Sequence, residues 1–267
     1  MRPAAAGDLV AVEPAPGDVA GQVAPAEYVR LLGLPRSRPL EGALADRAER
    51  ARSWYASHAR PRVAARRLGI EGIDAGAVVV STGQTLASRR LASRLVEGGA
   101  GALMAVAVTA GPEVDEEAHH LWSGGRPDEA YFLDRFGAVV AETLVRDAMT
   151  WTCRLSEPAG ETLLPHLSPG CGDWDMADQR TLMGLIAGGE AAALGPLSIM
   201  ESGMLSPKNS LLAAFAVTRG AVPPSPADAC ADCDLVPCRF RRVRSRAGAA
   251  GPAFSSPLAA PTHGMVR

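Results

Sequence analysis

The chain is poor in aromatic residues and almost without lysine. Phe, Trp and Tyr make up 4% of its 267 residues, so alanine, leucine and valine must fill most of any core. Lys208 is the sole lysine, and every other basic side chain is arginine. Arginine clusters therefore carry less information here than usual, and Lys208 stands out. No run of about 18 apolar residues is present, which leaves no candidate membrane-spanning helix. The N-terminus lacks a charged stretch followed by an apolar one, so it does not read as a secretory signal. A net charge of −2 gives no whole-protein field for nucleic acid or a membrane surface. Nucleophile-elbow serines, a Walker loop and a complete Rossmann fingerprint are also missing. The expected compartment is the cytoplasm, and neither nucleic acid nor a membrane is expected as a partner.

What is present fits a globular protein: 47% hydrophobic and 21% charged residues, enough for one large domain or two small ones. Residues 1–25 are rich in Ala, Pro and Gly without periodicity and read as a disordered leader; residues 245–267 read as a disordered tail. Between them, Glu27 to Leu32 reads as a short helix ended by Gly33 and Pro35. Leu44, Ala48, Ala51 and Tyr55 recur at helical spacing. Ala77 to Ser81 suits a buried strand, and Ser81 or Thr82 is placed to cap the helix carrying Leu91 and Leu95, which Gly98 and Gly99 stop. Ala102 to Val108 is a second strand. Val114, Ala118 and Leu121 mark a helix with an acidic first turn, as the helix dipole favours, and Leu133, Phe136, Val140 and Leu144 mark a longer one. Leu197 to Met200 and Leu211 to Thr218 read as two more strands. This order suits α+β or α/β.

The stretch from His166 to Trp174 organises the rest. Pro169, Gly170 and Gly172 bend the chain sharply. Asp173 and Asp178 are candidate N-caps for the helix carrying Leu182, Leu185 and Ile186. A glycine-rich turn opening a helix leaves backbone N–H groups for an anionic or polar ligand; an ordinary loop and cap is the alternative. Asp173 could also pair with His166, His119 or His120 in acid–base work. Cysteines number five, an odd and clustered set that suits a metal or redox site better than disulfides. Cys230, Cys233 and Cys238 form C-x-x-C-x4-C, with the chelate spacing of zinc and iron–sulfur sites. Cys171, Cys153, a histidine or a ligand would fill the fourth position; free thiols are the alternative. The following run, Arg239, Arg241, Arg242, Arg244 and Arg246, reads as a solvated tail or a docking rim.

The His166–Trp174 segment resembles the Ser-Pro-Gly-Tyr-Gly-Asp-Trp signature of stand-alone proteins similar to the activation domain of cobalamin-dependent methionine synthase. Four more stretches match in the same order: Ala105 to Gly111, Leu133 to Gly137 running on to Glu142, Met200 to Ser210, and Cys230 to Arg241. The resemblance spans roughly residues 26–242, which sets an expected domain at 26–244, and implies an α+β fold, a twisted and mainly antiparallel sheet with helices packed around it. It implies S-adenosylmethionine binding and the return of oxidised cob(II)alamin to methylcobalamin. The cobalamin would be carried by a partner corrinoid-binding methyltransferase, with an electron donor such as a flavodoxin or ferredoxin. No Asp-x-His-x-x-Gly cobalamin-ligand motif occurs in this chain. The resemblance implies ligand contacts from His166, Ser168, Pro169, Gly170, Cys171, Gly172 and Asp173, and from Glu142, Glu201 and Ser202. Two positions depart from the family's Arg-x-x-x-Gly-Tyr motif, since His166 stands for the arginine and Cys171 for the tyrosine. His166 replaces a bidentate guanidinium only in part, and only when protonated; losing one charge-assisted hydrogen bond costs about 1.5–3 kcal/mol. The rival reading is a degenerate, non-catalytic scaffold or metal-binding protein with the same fold.

Overall fold

The computed structural model describes residues 9–35 and 37–219. Cys230, Cys233, Cys238, the arginine run and the tail at 245–267 lie outside the described residues. The strands are β1 (Leu9–Val12), β2 (Arg62–Asp74), β3 (Ala77–Val80), β4 (Thr85–Ala87), β5 (Ala102–Thr109), β6 (Glu161–Leu163), β7 (Ser198–Ile199), β8 (Leu205–Ser206) and β9 (Ser210–Arg219). The α-helices are α1 (Pro16–Gln22), α2 (Pro25–Leu31), α3 (Ala43–His58), α4 (Arg89–Glu97), α5 (Pro112–Ser123), α6 (Pro127–Ser156) and α7 (Asp178–Ala187). Residues 9–25, expected to be unstructured, thus carry β1 and α1. Proline at the first helical position fixes φ at the start of both α1 and α2.

Seven strands form one antiparallel sheet in the order β4-β3-β2-β5-β9-β6, with β1 also on β2. The fold class is α+β. Strand β2 is long enough to serve two neighbours on one edge: Val63 to Arg66 pair with β1, and Ile70 to Asp74 pair with β3 beyond a bulge near Ile70. Its other edge pairs with β5 from Arg62 to Gly69. Every residue of β5 is buried, as a strand covered on both faces requires.

Alternation along the strands divides the core in two. Met104, Val106, Val108 and Phe215 face α1, α2, α3, α5 and α6. Leu103, Ala105, Ala107 and Ala214 face α4, α7 and the buried ring of Trp174. With few aromatics available, three of them meet at one point: Tyr28 and Tyr55 both set their rings edge-on to Phe136, at 5.1 and 5.5 Å.

Two local expectations are corrected. Ser88, rather than Ser81 or Thr82, caps α4 by accepting the Leu91 N–H at 3.1 Å, and β4 intervenes. The strand β2 was not foreseen, because Arg62, Arg66 and Arg67 interrupt its apolar pattern. Arg66 reaches out of the sheet to the last carbonyls of α7, donating to Ile186 O at 2.9 Å and Ala187 O at 3.0 Å. A cation at a helix C-terminus complements its orphan carbonyls and its dipole. Gly188 follows at φ 52°, and a Cβ there would collide with the Arg66 guanidinium.

Candidate functional site

Beyond β6 the chain stays along the edge of β9. Leu164 N–H donates to Ala216 O at 2.9 Å, and Leu167 exchanges two backbone hydrogen bonds with Ala214, at 2.9 and 2.8 Å. Successive side chains then fall on opposite faces. His166 packs its ring against Phe215, 5.4 Å between centroids, on the α6 side. Leu167 and Trp174 enter the α7 side. The 166–174 segment therefore wraps around the sheet edge and presents Gly170, Cys171, Gly172 and Asp173 to solvent.

The turn is closed largely on itself. Gly170 N–H donates to Trp174 O at 2.7 Å, Cys171 N–H to Ser168 O at 3.1 Å, and Trp174 N–H to Cys171 O at 3.2 Å. Gly170 and Gly172 have φ of 87° and 63°, which a side chain resists. The amides of Gly170, Cys171 and Trp174, expected to await a ligand, are thus committed within the turn. Pro169 is buried and Ser168 half-buried.

Asp173 and Asp178 do not cap the helix that follows them; the N-cap of α7 is Ala177, with no side-chain bond. Asp173 instead accepts the Ser88 hydroxyl at 3.1 Å and the N–H groups of Arg89 at 2.9 Å and Arg90 at 3.3 Å. Asp178 accepts the Ala87 N–H at 2.7 Å and the Trp174 indole N–H at 2.8 Å. The two carboxylates latch the turn onto the start of α4. Burial raises the Asp173 pKa, but the hydrogen bonds from Ser88, Arg90 and Arg89 outweigh it and hold the carboxyl below its usual range. Asp173, offered as a partner for a histidine, is instead held by Ser88, Arg89 and Arg90.

Glu142 lies on α6, across the sheet from Asp173. It accepts the guanidinium of Arg30, which also donates to Glu27 at 3.0 Å. The Arg30 side chain is 5% exposed and that of Glu142 is 29% exposed. Glu142 and His166 thus share the α6 side of the sheet, and Glu142 already holds a buried cation. Arg30 was missed at the level of sequence; its only signal is the spacing of three from Glu27.

Glu201 and Ser202 form the exposed tip of the hairpin joining β7 and β8. At this exposed tip the Glu201 carboxylate stands in water and needs no buried partner. The Arg180 guanidinium donates to Met200 O at 2.9 Å and so ties this tip to the first turn of α7. The hairpin and the turn therefore lie at the same end of α7.

Lys208, the sole lysine, is exposed between β8 and β9 and is ion-paired with Asp134 at 2.7 Å. Its N–H donates to Asp115 at 2.8 Å, and Asn209 reaches both carboxylates at 3.5 Å. Gly137 makes room for this group, since a Cβ there would stand 2.8 Å from Asn209 Nδ2. The Leu133–Gly137 and Met200–Ser210 stretches are thus partners in packing. Burial raises the Asp115 pKa, while Lys208 and Arg135 hold that of Asp134 down against its own burial. Among the described residues, no three His, Cys, Asp or Glu side chains are arranged to hold a metal ion. No described helix is long and apolar enough to cross a membrane.

No family model and no curated protein matches the sequence. The structure is similar to the crystal structure of the MetH reactivation domain bound to AdoHcy. The likeness covers 83% of this chain and 82% of that chain, with a TM-score of 0.59 and 12% sequence identity. At that identity the kinship is one of architecture: the described chain has the fold of the MetH reactivation domain.

Proposed function

We propose that the chain reactivates a corrinoid cofactor carried by a partner methyltransferase, using S-adenosylmethionine as methyl donor. One electron from a flavodoxin- or ferredoxin-type carrier reduces cob(II)alamin to cob(I)alamin. The reduced cobalt then takes the methyl group from the sulfonium, giving methylcobalamin and S-adenosylhomocysteine. The observation that carries this reading is the shared fold over more than four-fifths of both chains, with the neighbour holding AdoHcy. The protein's part is positioning and exclusion of water. His166, when protonated, would meet the ligand carboxylate beside Phe215. Backbone at Gly170 to Gly172 would line the ligand, and Glu142 would receive its amine by exchanging Arg30. Cys230, Cys233 and Cys238 would hold zinc as a structural clip or an iron–sulfur cluster.

One observation favours the rival reading of a scaffold that has lost the ligand. The groups that would bind it are engaged already: Glu142 by Arg30, and the turn amides by Trp174 and Ser168. The test mixes the protein with corrinoid proteins in the cob(II)alamin state, S-adenosylmethionine and a low-potential reductant, and follows the cobalt spectrum. Methylcobalamin is expected only when this protein is present. Equal methylation without it, for every partner tried, leaves the scaffold.

A further inference from the structure

A cleft of about 680 Å³ opens between the α1–α2 corner, the loop at 37–40 and α3, away from the 166–174 turn. Its size falls within the range of small-molecule sites, about 300–1,000 Å³. Val23, Val29, Leu40 and Ala45 line it with apolar surface, and Arg38 and Arg52 stand on its wall with a single acidic residue, Glu49.

Arg52 is half-buried, its guanidinium 5.3 Å over the Phe136 ring. It donates to Ala20 O and, at 3.3 Å, to Val23 O. These bonds use two of the five N–H groups that a guanidinium carries. Glu49, one turn away, accepts from Ser53 at 3.0 Å instead. Among the described residues no ion pair joins a carboxylate to Arg52 or to Arg38. A partly desolvated guanidinium with spare donors, beside a second arginine and over apolar walls, suits a carboxylate attached to an apolar body. We propose that this cleft binds a small carboxylate-bearing molecule, the carboxylate on Arg52 and Arg38 and the apolar part on Val29, Leu40 and Ala45. The site is independent of the corrinoid reading.

The probes are octanoate and octan-1-ol, titrated below their aggregation limits into the full chain by calorimetry. Octanoate is expected to bind at one site, and octan-1-ol about 10-fold or more weakly, the worth of one charge-assisted contact. Arg52 also ties α1 to α3, so Arg52→Gln is paired with two milder variants. Arg38→Gln in the exposed loop should weaken octanoate about 10-fold. Ala45→Phe, which fills the cleft and leaves both arginines, should abolish binding. No octanoate heat, equal binding of the alcohol, or octanoate binding untouched by Ala45→Phe overturns the proposal. S-adenosylmethionine is titrated into Ala45→Phe as a separate arm. Unchanged heat keeps the two sites distinct; lost heat makes the cleft the S-adenosylmethionine site and overturns the assignment of a second one.

Discussion

Asp173 accepts the backbone N–H of Arg89 at 2.9 Å, across 84 residues of sequence. With Ser88 and Arg90 it gives α4 an N-terminal anchor supplied from another part of the chain. Replacing Asp173 with alanine removes a cap-type acceptor and is expected to cost about 0.5–2 kcal/mol, read as a lowered urea midpoint with unchanged slope. The folded carboxyl is held below its unfolded pKa. Its contribution is therefore complete above about pH 3.9 and is lost as pH falls through the folded value. The stability gap between wild type and Asp173→Asn should hold at neutral pH and close in acid.

Gly188→Ala tests the end of α7. The residue sits at φ 52° and any Cβ meets the Arg66 guanidinium. A loss of about 1–3 kcal/mol is expected from backbone strain alone. Combining it with Arg66→Gln should cost less than the sum of the two single changes, since both act on the same cap.

Glu142→Gln tests the pair with Arg30. The guanidinium is 5% exposed, so removing one of its carboxylates weakens a charge-assisted bond; a loss of about 1–3 kcal/mol is expected in chemical denaturation. If Glu142 also receives the ligand amine, S-adenosylmethionine binding should weaken beyond what the stability change explains, as judged by calorimetry well below the unfolding transition.

His166→Arg with Cys171→Tyr restores both departures from the family motif. About 10-fold or more tighter S-adenosylmethionine binding is expected, from one charge-assisted contact and one aromatic surface. No heat at millimolar ligand in either protein would sink the reactivation reading.

Much of the fold was legible in the sequence because local signals and tertiary packing agree. Val114, Ala118 and Leu121 on α5, and Leu133, Phe136, Val140 and Leu144 on α6, are all buried as their spacing required. The apolar runs of β5 and β9 became central strands. Strand β2 was hidden because its arginines serve other elements: Arg66 ends α7 and Arg67 pairs with Glu161. Residues 9–25 carry few large apolar groups, yet Val19, Ala20 and Val23 are buried against neighbours that lie far along the chain. At the candidate site, the sharp turn at Gly170 and Gly172 was readable. The pairings of Asp173 with Arg89, Asp178 with Ala87 and Glu142 with Arg30 were not, since these partners lie about 80 to 110 residues away and no spacing rule links them.

The complete burial of β5 has a consequence for synthesis. Thr109 pairs with Ser210, and Ala102 with Val217. A ribosome adding about 5–20 residues per second must therefore make roughly 100 more residues after β5 before its second edge can be closed, a wait of about 5–20 s. During that interval this fully buried strand has β2 on one side and bare N–H and C=O groups on the other. Nascent α5 and α6 can shelter one of its faces, but an open strand edge recruits any other extended chain. The protein's most aggregation-sensitive moment falls before the chain has reached β9.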